Sequence, residues 1–350
     1  MAPAPAPASA PALPLALCGA GCITGAGLSL PATAAAIRTR LSALAQTRFM
    51  DARRQWIQGV EIPLDPPLRG RQKLLTILAA AIAEAFGDPA LSPEEVPILV
   101  GVAEPTRPGR FAGLDATFLA DLASLLGLRL HPDSALFPAG RVAIAPALLH
   151  ARALLAAGRC PAVLVAGVDT LMVGTTLAAL DDADLLQSGG ATDGIVPGEA
   201  AAALLVRRAD RAPPTAWTCV GIGLGLEPSD RDPEAPLRAD GLVTAIRAAL
   251  AEAGTTFDAI GLRIADIAGD ERSFYEAALA QTRLLRAPDL FQDIALPADS
   301  TGDVGAAFGA LLLALTTAAG LGLEPLPKQL LIHLHRGSGE RAALVLRRQA

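Results

Sequence analysis

Residues 96–103 (VPILVGVA), 162–167 (AVLVAG) and 200–206 (AAAALLV) are unbroken apolar runs of strand length. A strand that alternates apolar and polar residues has one wet face; one that does not is buried on both, as in sheets covered by helices on each side. Between these runs, residues 114–126 and 142–157 carry Leu and Ala at helical spacing. Strands alternating with helices place the chain in the α/β class, with mostly parallel or mixed sheets. The same reading extends in both directions. Residues 14–23 form a strand that ends in the turn Gly25-Ala26-Gly27, and residues 31–45 a helix with Pro31 in its first turn. Residues 51–71, with several prolines and glycines, read as an irregular excursion before a helix at 73–86, and residues 134–140 lead into the helix at 142–157. A helix at 175–183 precedes the strand at 200–206. The polar, Pro-rich residues 207–214 then bridge to a second series. That series predicts strands at 217–226, 259–265, 329–335 and 342–347, and helices at 240–253 (closed by Gly254), 274–285 and 306–323. The comparable element order of the halves 14–206 and 207–350 suggests an internal duplication, each half with a mixed five-stranded sheet.

The composition supports a large dry core. The chain has 350 residues, 52% hydrophobic and 18% charged, which excludes a disordered chain. Aromatic residues make up only 3%, so Ala, Leu and Val must do the packing. A net charge of −6 argues against nucleic acid as a partner, because a phosphate-binding surface needs clustered cations. Two of the 29 basic residues are lysines, Lys73 and Lys328; the arginines are scattered. Cys18, Cys22, Cys160 and Cys219 have neither the spacing of a disulfide framework nor that of a zinc site, and read as small buried hydrophobes. No cofactor is expected. Residues 1–13 are an Ala/Pro lead-in, disordered or polyproline, with no positive charge. The charge-free run 306–323 has the length of a membrane span, but its Gly and Thr content points to a helix buried on all sides of an α/β core. The expectation is a cytoplasmic protein with no membrane contact.

Four segments carry a more specific signal. Residues 17–27 (LCGAGCITGAG), 158–169 (GRCPAVLVAGVD), 193–200 (DGIVPGEA) and 299–309 (DSTGDVGAAFG) resemble, in order and spacing, segments of the thiolase-fold condensing enzymes, in particular the β-ketoacyl (3-oxoacyl-ACP) synthases. The resemblance spans nearly the whole chain. It implies a five-layered α/β/α/β/α fold of two similar halves, and a dimer whose sheets run together across the subunit contact. It also implies a Cys nucleophile at the N-terminus of a buried helix, its pKa lowered by the helix dipole. Two histidines from the second half would then assist decarboxylation and stabilise the oxyanion.

The residues at those positions are different ones. Counting back from Gly158, the nucleophile position falls on Gly140 or Arg141, and neither can hold an acyl thioester. Asp266 stands where the first histidine belongs, Asp303 where the second belongs, and the lysine of the last segment falls on Ala298. The four histidines lie elsewhere. His131 and His150 flank the first-half helix, while His333 and His335 share one face of a strand without a Cys or carboxylate at motif spacing. Joint loss of nucleophile, histidines and lysine accords with loss of condensation. The resemblance then implies a catalytically silent scaffold, adaptor or heterodimer partner, such as the chain-length partner of polyketide synthase pairs. Other relatives of this kind lie beside type VI secretion cargo genes. Partners would be a copy of the chain or a thiolase-fold homologue, with an acyl carrier protein or a secretion cargo protein. The rival is an active acyltransferase or thioester hydrolase acting on acyl-CoA or acyl-ACP, with Asp266 and Asp303 as general base. Arg141, Asp266 and Asp303 form either a charge-paired cluster that replaces the catalytic trio, or a solvent-facing arginine with two local helix caps.

Overall fold

Leu15–Thr24 forms β1, and α1 (Leu30–Arg38) follows it with Ser29 as N-cap, the serine side chain accepting from the Ala32 N–H. A computed structural model describes residues 12–88, 91–110, 112–187, 193–232, 234–287, 292–318 and 327–348. Residues 1–11 of the lead-in and 319–323 of the apolar run lie outside these. The first half continues through β2 (Ala45–Met50), β3 (Trp56–Gly59), α2 (Gly70–Ala85), β4 (Ile98–Gly101) and α3 (Ala116–Leu126). It is completed by β5 (Ala135–Phe137), α4 (Ile144–Ala156), β6 (Val163–Thr170), α5 (Gly174–Asp182) and β7 (Glu199–Arg208). The second half runs β8 (Thr218–Leu226), α6 (Asp240–Ala253), β9 (Leu262–Ala265), α7 (Glu271–Leu284) and β10 (Ile294–Ala295). It ends with α8 (Ala298–Thr301), α9 (Phe308–Thr317), β11 (Gln329–His335) and β12 (Glu340–Arg347).

Strand order is β5-β4-β6-β7-β1 in the first half and β10-β9-β11-β12-β8 in the second. Polarity matches too: in each half the first two neighbour pairs are parallel and the last two antiparallel. The two five-stranded sheets are not separate, as the sequence suggests, but joined at one corner. There β1 and β8 pair briefly, Leu15 with Cys219 and Ala16 with Thr218, and the Leu17 N–H donates to the Trp217 carbonyl at 2.8 Å.

Side-chain alternation along the strands builds the layers. Leu204 and Val165 face a central core with Phe308, Leu312, Ile332 and Leu344; their neighbours Leu205 and Leu164 face an outer core with Ile77, Leu78 and Phe118. On the other side Leu331 and Val345 face a third core with Ile246 and Leu250. Helices α4 and α9 touch strands of both halves, α2 lies on the first sheet's outer face with α3 beside it, and α6 with α7 beside it covers the second. That arrangement is α/β/α/β/α. Helix α9 is buried at every described position from Phe308 to Thr316, so it has no polar face to present. Each of its leucines contributes roughly 1.5–3 kcal/mol relative to exposure. No helix among the described residues is long and apolar enough to cross a membrane.

Two local expectations fail. The helix after β1 stops at Arg38 rather than residue 45, and β2, just before the stretch read as irregular, pairs as a two-stranded hairpin with β3 inside it. The hairpin buries only Thr47, Ile57 and Gly59 among its strand residues, so its alternation is too sparse to register as a strand pattern.

Candidate functional site

Gly140 opens a 3-10 turn (Gly140–Val142) that leads into α4, and its φ of 59° is the left-handed conformation that glycine tolerates. A Cβ at this position would lie 2.2 Å from a Glu104 carboxylate oxygen, so a side chain at 140 would need the end of Glu104 to move and would strain the positive φ. The next residue, Arg141, points into a cavity between the halves. Its Nη1 donates to the Asp266 backbone carbonyl at 2.8 Å and lies 3.6 Å from the Asp266 carboxylate; Nη2 pairs with Asp303. Its guanidinium carbon also stands 5.1 Å from the centroid of Phe308. Arg141, Asp266 and Asp303, which the resemblance aligns with the nucleophile and histidine positions, are therefore in contact. Burial alone would lower the Arg141 pKa, but Asp303 and Asp266 outweigh it and hold the guanidinium charged.

Asp303 does both things that the sequence allowed. Besides Arg141, it accepts the Gly305 N–H at 2.9 Å and so caps the turn before α9. Its backbone ties the loops together: its N–H donates to Val196 O at 2.7 Å, and its carbonyl accepts from Gly198 N at 2.8 Å. Asp169 accepts the Ala306 N–H at 2.7 Å and pairs with Arg107 at 2.7 Å. Glu199 accepts from Ile62 N at 2.6 Å and Thr170 Oγ1 at 2.9 Å, and pairs with Lys73. These acidic loop residues are consumed in holding segments together. Ala298, which the resemblance aligns with the lysine, is buried at the start of α8.

Asp266, by contrast, has a histidine. His333 pairs in register with Ala265, so the ends of β9 and β11 lie side by side and bring Asp266 to His335. The fully buried Asp266 carboxylate accepts the His335 backbone N–H at 3.0 Å, and its other oxygen is 2.8 Å from His335 Nδ1. Burial pushes the Asp266 carboxyl up, but His335 and Arg141 more than reverse this and hold it at about 2. His335 Nε2 lies 2.8 Å from Ser273 Oγ in the first turn of α7, where the Ser273 N–H is capped by Asp270 at 2.8 Å. The carboxylate that pairs with His335 is 69 residues away in sequence, beyond motif spacing, and is brought near by strand register. Nothing in the sequence singled out Ser273.

Ser273, His335, Arg141 and Asp303 line a cavity of about 700 Å³ whose other walls include Leu171, Leu180, Leu185 and Ile195. No cysteine reaches it. Burial pushes the Cys22 and Cys219 thiols up to about 12 and Cys160 to about 11, so none is a ready thiolate. The remaining histidines are structural. His131 Nδ1 accepts from Asp133 N at 3.1 Å, His150 packs on Phe137 with ring centroids 5.9 Å apart, and burial and Arg263 push His333 down to about 3.

No family model and no curated protein matches the chain. Solved structures do. The ishigamide ketosynthase/chain length factor matches with a TM-score of 0.71 and 18% identity, over 97% of this chain and 100% of that one. A type II polyketide synthase ketosynthase, solved with its acyl-carrier protein and a hexaketide, gives 0.77 and 14%, over 96% and 100%. A ketosynthase in complex with its chain length factor from Xenorhabdus doucetiae gives 0.72 and 14%, over 96% and 98%. Layers, strand order and these likenesses agree: the chain has the thiolase-like fold of ketosynthases and chain length factors.

Proposed function

We propose that the protein is a non-condensing ketosynthase-fold subunit, silent in carbon–carbon bond formation, that acts as a partner of an active homologue in the cytoplasm. One observation carries the reading. At the position expected for the nucleophile, Gly140 has no side chain and Arg141 is paired with Asp303 and Asp266. Condensation needs a group that takes the acyl chain and donors placed for the developing oxyanion. Here neither Gly140 nor Arg141 supplies the first, and the anionic residues at the two expected histidine positions would oppose a negative oxygen. The pairing of Asp303 and Asp266 with Arg141 also leaves them poorly placed to serve as general base. The titles of similar structures, which name ketosynthases with chain length factors and one with an acyl-carrier protein, favour a heterodimer with a ketosynthase and an acyl carrier as ligand. A homodimer, or a secretion cargo protein as ligand, is the variant of the same role. The test supplies the pure chain with an acyl thioester and malonyl carrier protein, then adds a ketosynthase and records native mass spectra. No β-ketoacyl product from the chain alone, and a one-to-one complex with the ketosynthase, are expected. A β-ketoacyl product formed by the chain alone overturns the reading.

A further inference from the structure

We propose that Ser273, His335 and Asp266 form a serine nucleophile relay, with which the cavity accepts an acyl group from a thioester and releases it to water. This goes beyond the partner role and does not depend on it, since condensation and hydrolysis have different products.

The geometry supports each step in turn. Asp266 is held ionised beside Arg141 and accepts both His335 N–H groups, backbone and ring, at 3.0 and 2.8 Å. With its Nδ1 proton directed to Asp266, the neutral ring presents the Nε2 lone pair, and the hydroxyl 2.8 Å away is that of Ser273. A nucleophile bonded to a base, and a base oriented by a buried carboxylate, are the features by which such a relay is recognised on unrelated folds. The members come from the ends of β9 and β11 and the start of α7, all rigid elements. An ordinary structural serine in a first helical turn turns its hydroxyl back onto the local backbone; this one faces the cavity and a histidine on another element.

The cavity decides the substrate class. Four of its five arginines are closely paired: Arg107 with Asp169 and Glu104, Arg141 with Asp303, Arg272 with Asp230, and Arg341 with Glu276; the fifth, Arg336, stands 3.5 Å from Glu340 and 3.8 Å from Glu104. A bare carboxylate or phosphate would therefore find no spare counter-ion at the four close pairs. Leu171, Leu180, Leu185 and Ile195 supply an apolar wall suited to an acyl chain. A neutral carbonyl at the polar end and a hydrocarbon along the wall describe a fatty acyl thioester.

The chemistry balances without a further reactant. Ser273 Oγ attacks the thioester carbonyl carbon as its proton passes to His335 Nε2; the C–S bond breaks, and the leaving thiol takes that proton. Water then attacks the Ser273 ester, giving a proton to Nε2. The C–O bond breaks, a carboxylic acid leaves, and Nε2 returns the proton to Ser273 Oγ.

The test uses the full chain with octanoyl-N-acetylcysteamine and, separately, an octyl fluorophosphonate. Cleavage after Arg272 and Arg283 isolates the peptide 273–283 (SFYEAALAQTR), in which Ser273 is the only serine. The expected result is phosphonate on Ser273 of that peptide, with thiol release above the buffer rate. Ser273→Ala should abolish both, His335→Gln should return thiol release to the buffer rate, and Ser273→Cys should retain an acyl adduct at 273. Labelling of the native chain needs no variant, so a misfolded mutant leaves the test intact. An unlabelled peptide with thiol release at the buffer rate overturns the proposal, as does turnover that folded Ser273→Ala leaves unchanged.

Discussion

Arg141 sits one turn before α4, where the helix dipole disfavours a cation by a few tenths to about 1 kcal/mol, yet it is largely buried and charged. Two carboxylates explain this, and the pairing is asymmetric in its consequences. Removing Arg141 leaves Asp266 and Asp303 without their shared cation, so Arg141→Met should cost about 3–5 kcal/mol in a urea unfolding curve. Adding Asp303→Asn should recover part of that loss, because the deserted charge goes too; strictly additive losses would contradict the pairing. Acid should expose the same cluster. Asp266 has its folded pKa lowered to about 2, below an unfolded value of about 3.9, so its stabilisation is complete above the unfolded value and is lost as pH falls toward about 2. Thermal unfolding between pH 5 and pH 2 should therefore fall less steeply for Asp266→Asn than for the native chain. A parallel fall would place the acid sensitivity elsewhere.

Helices α2 and α6 lie directly on strand backbone. A Cβ added at Gly19 or Gly21 of β1 would meet the carbonyl oxygens of Ala85 and Ala81 at 2.3 and 2.4 Å. At Gly221, Gly223 and Gly225 of β8, one would meet those of Ala249, Ala245 and Gly241 at 2.1, 1.9 and 2.0 Å. The halves thus share a close contact of strand glycines with helix backbone at corresponding strands, β1 and β8. Gly223→Ala should push α6 off the sheet and cost 1–3 kcal/mol or more, by about the usual penalty for overpacking. Gly87→Ala, where a Cβ meets nothing within 4 Å, should stay within roughly ±0.5 kcal/mol. Equal effects in chemical denaturation would remove the close-approach argument. Such elements were legible in the sequence because burial on both faces writes an unbroken apolar run, as in β6 and β7. The β2–β3 hairpin was not, because its strands bury so little. The contact of Asp266 with His335 was invisible for another reason: strand register makes it, and residue spacing does not encode register.

For the whole molecule, the short strand β5 raises the question of assembly. It pairs with β4 on one side, as Leu99 with Ala135 and Gly101 with Phe137, and among the described residues no strand pairs with its other side. Its three residues are half-buried rather than blunted by charge. Unpaired strand edges invite sheet continuation, and a two-fold axis would pair β5 with its counterpart in a second subunit. We therefore expect light scattering at micromolar concentration to report a dimer, with itself or with a ketosynthase, through an interface of roughly 1,200–2,000 Å² or more. Amide exchange at residues 135–137 should slow as the dimer forms, while the edge at β10 keeps its rate. A chain that stays monomeric at all concentrations, alone and with a ketosynthase, would defeat this expectation and with it the partner role. Slowed exchange at β10 instead of β5 would keep the dimer but move its axis to the opposite end of the sheet.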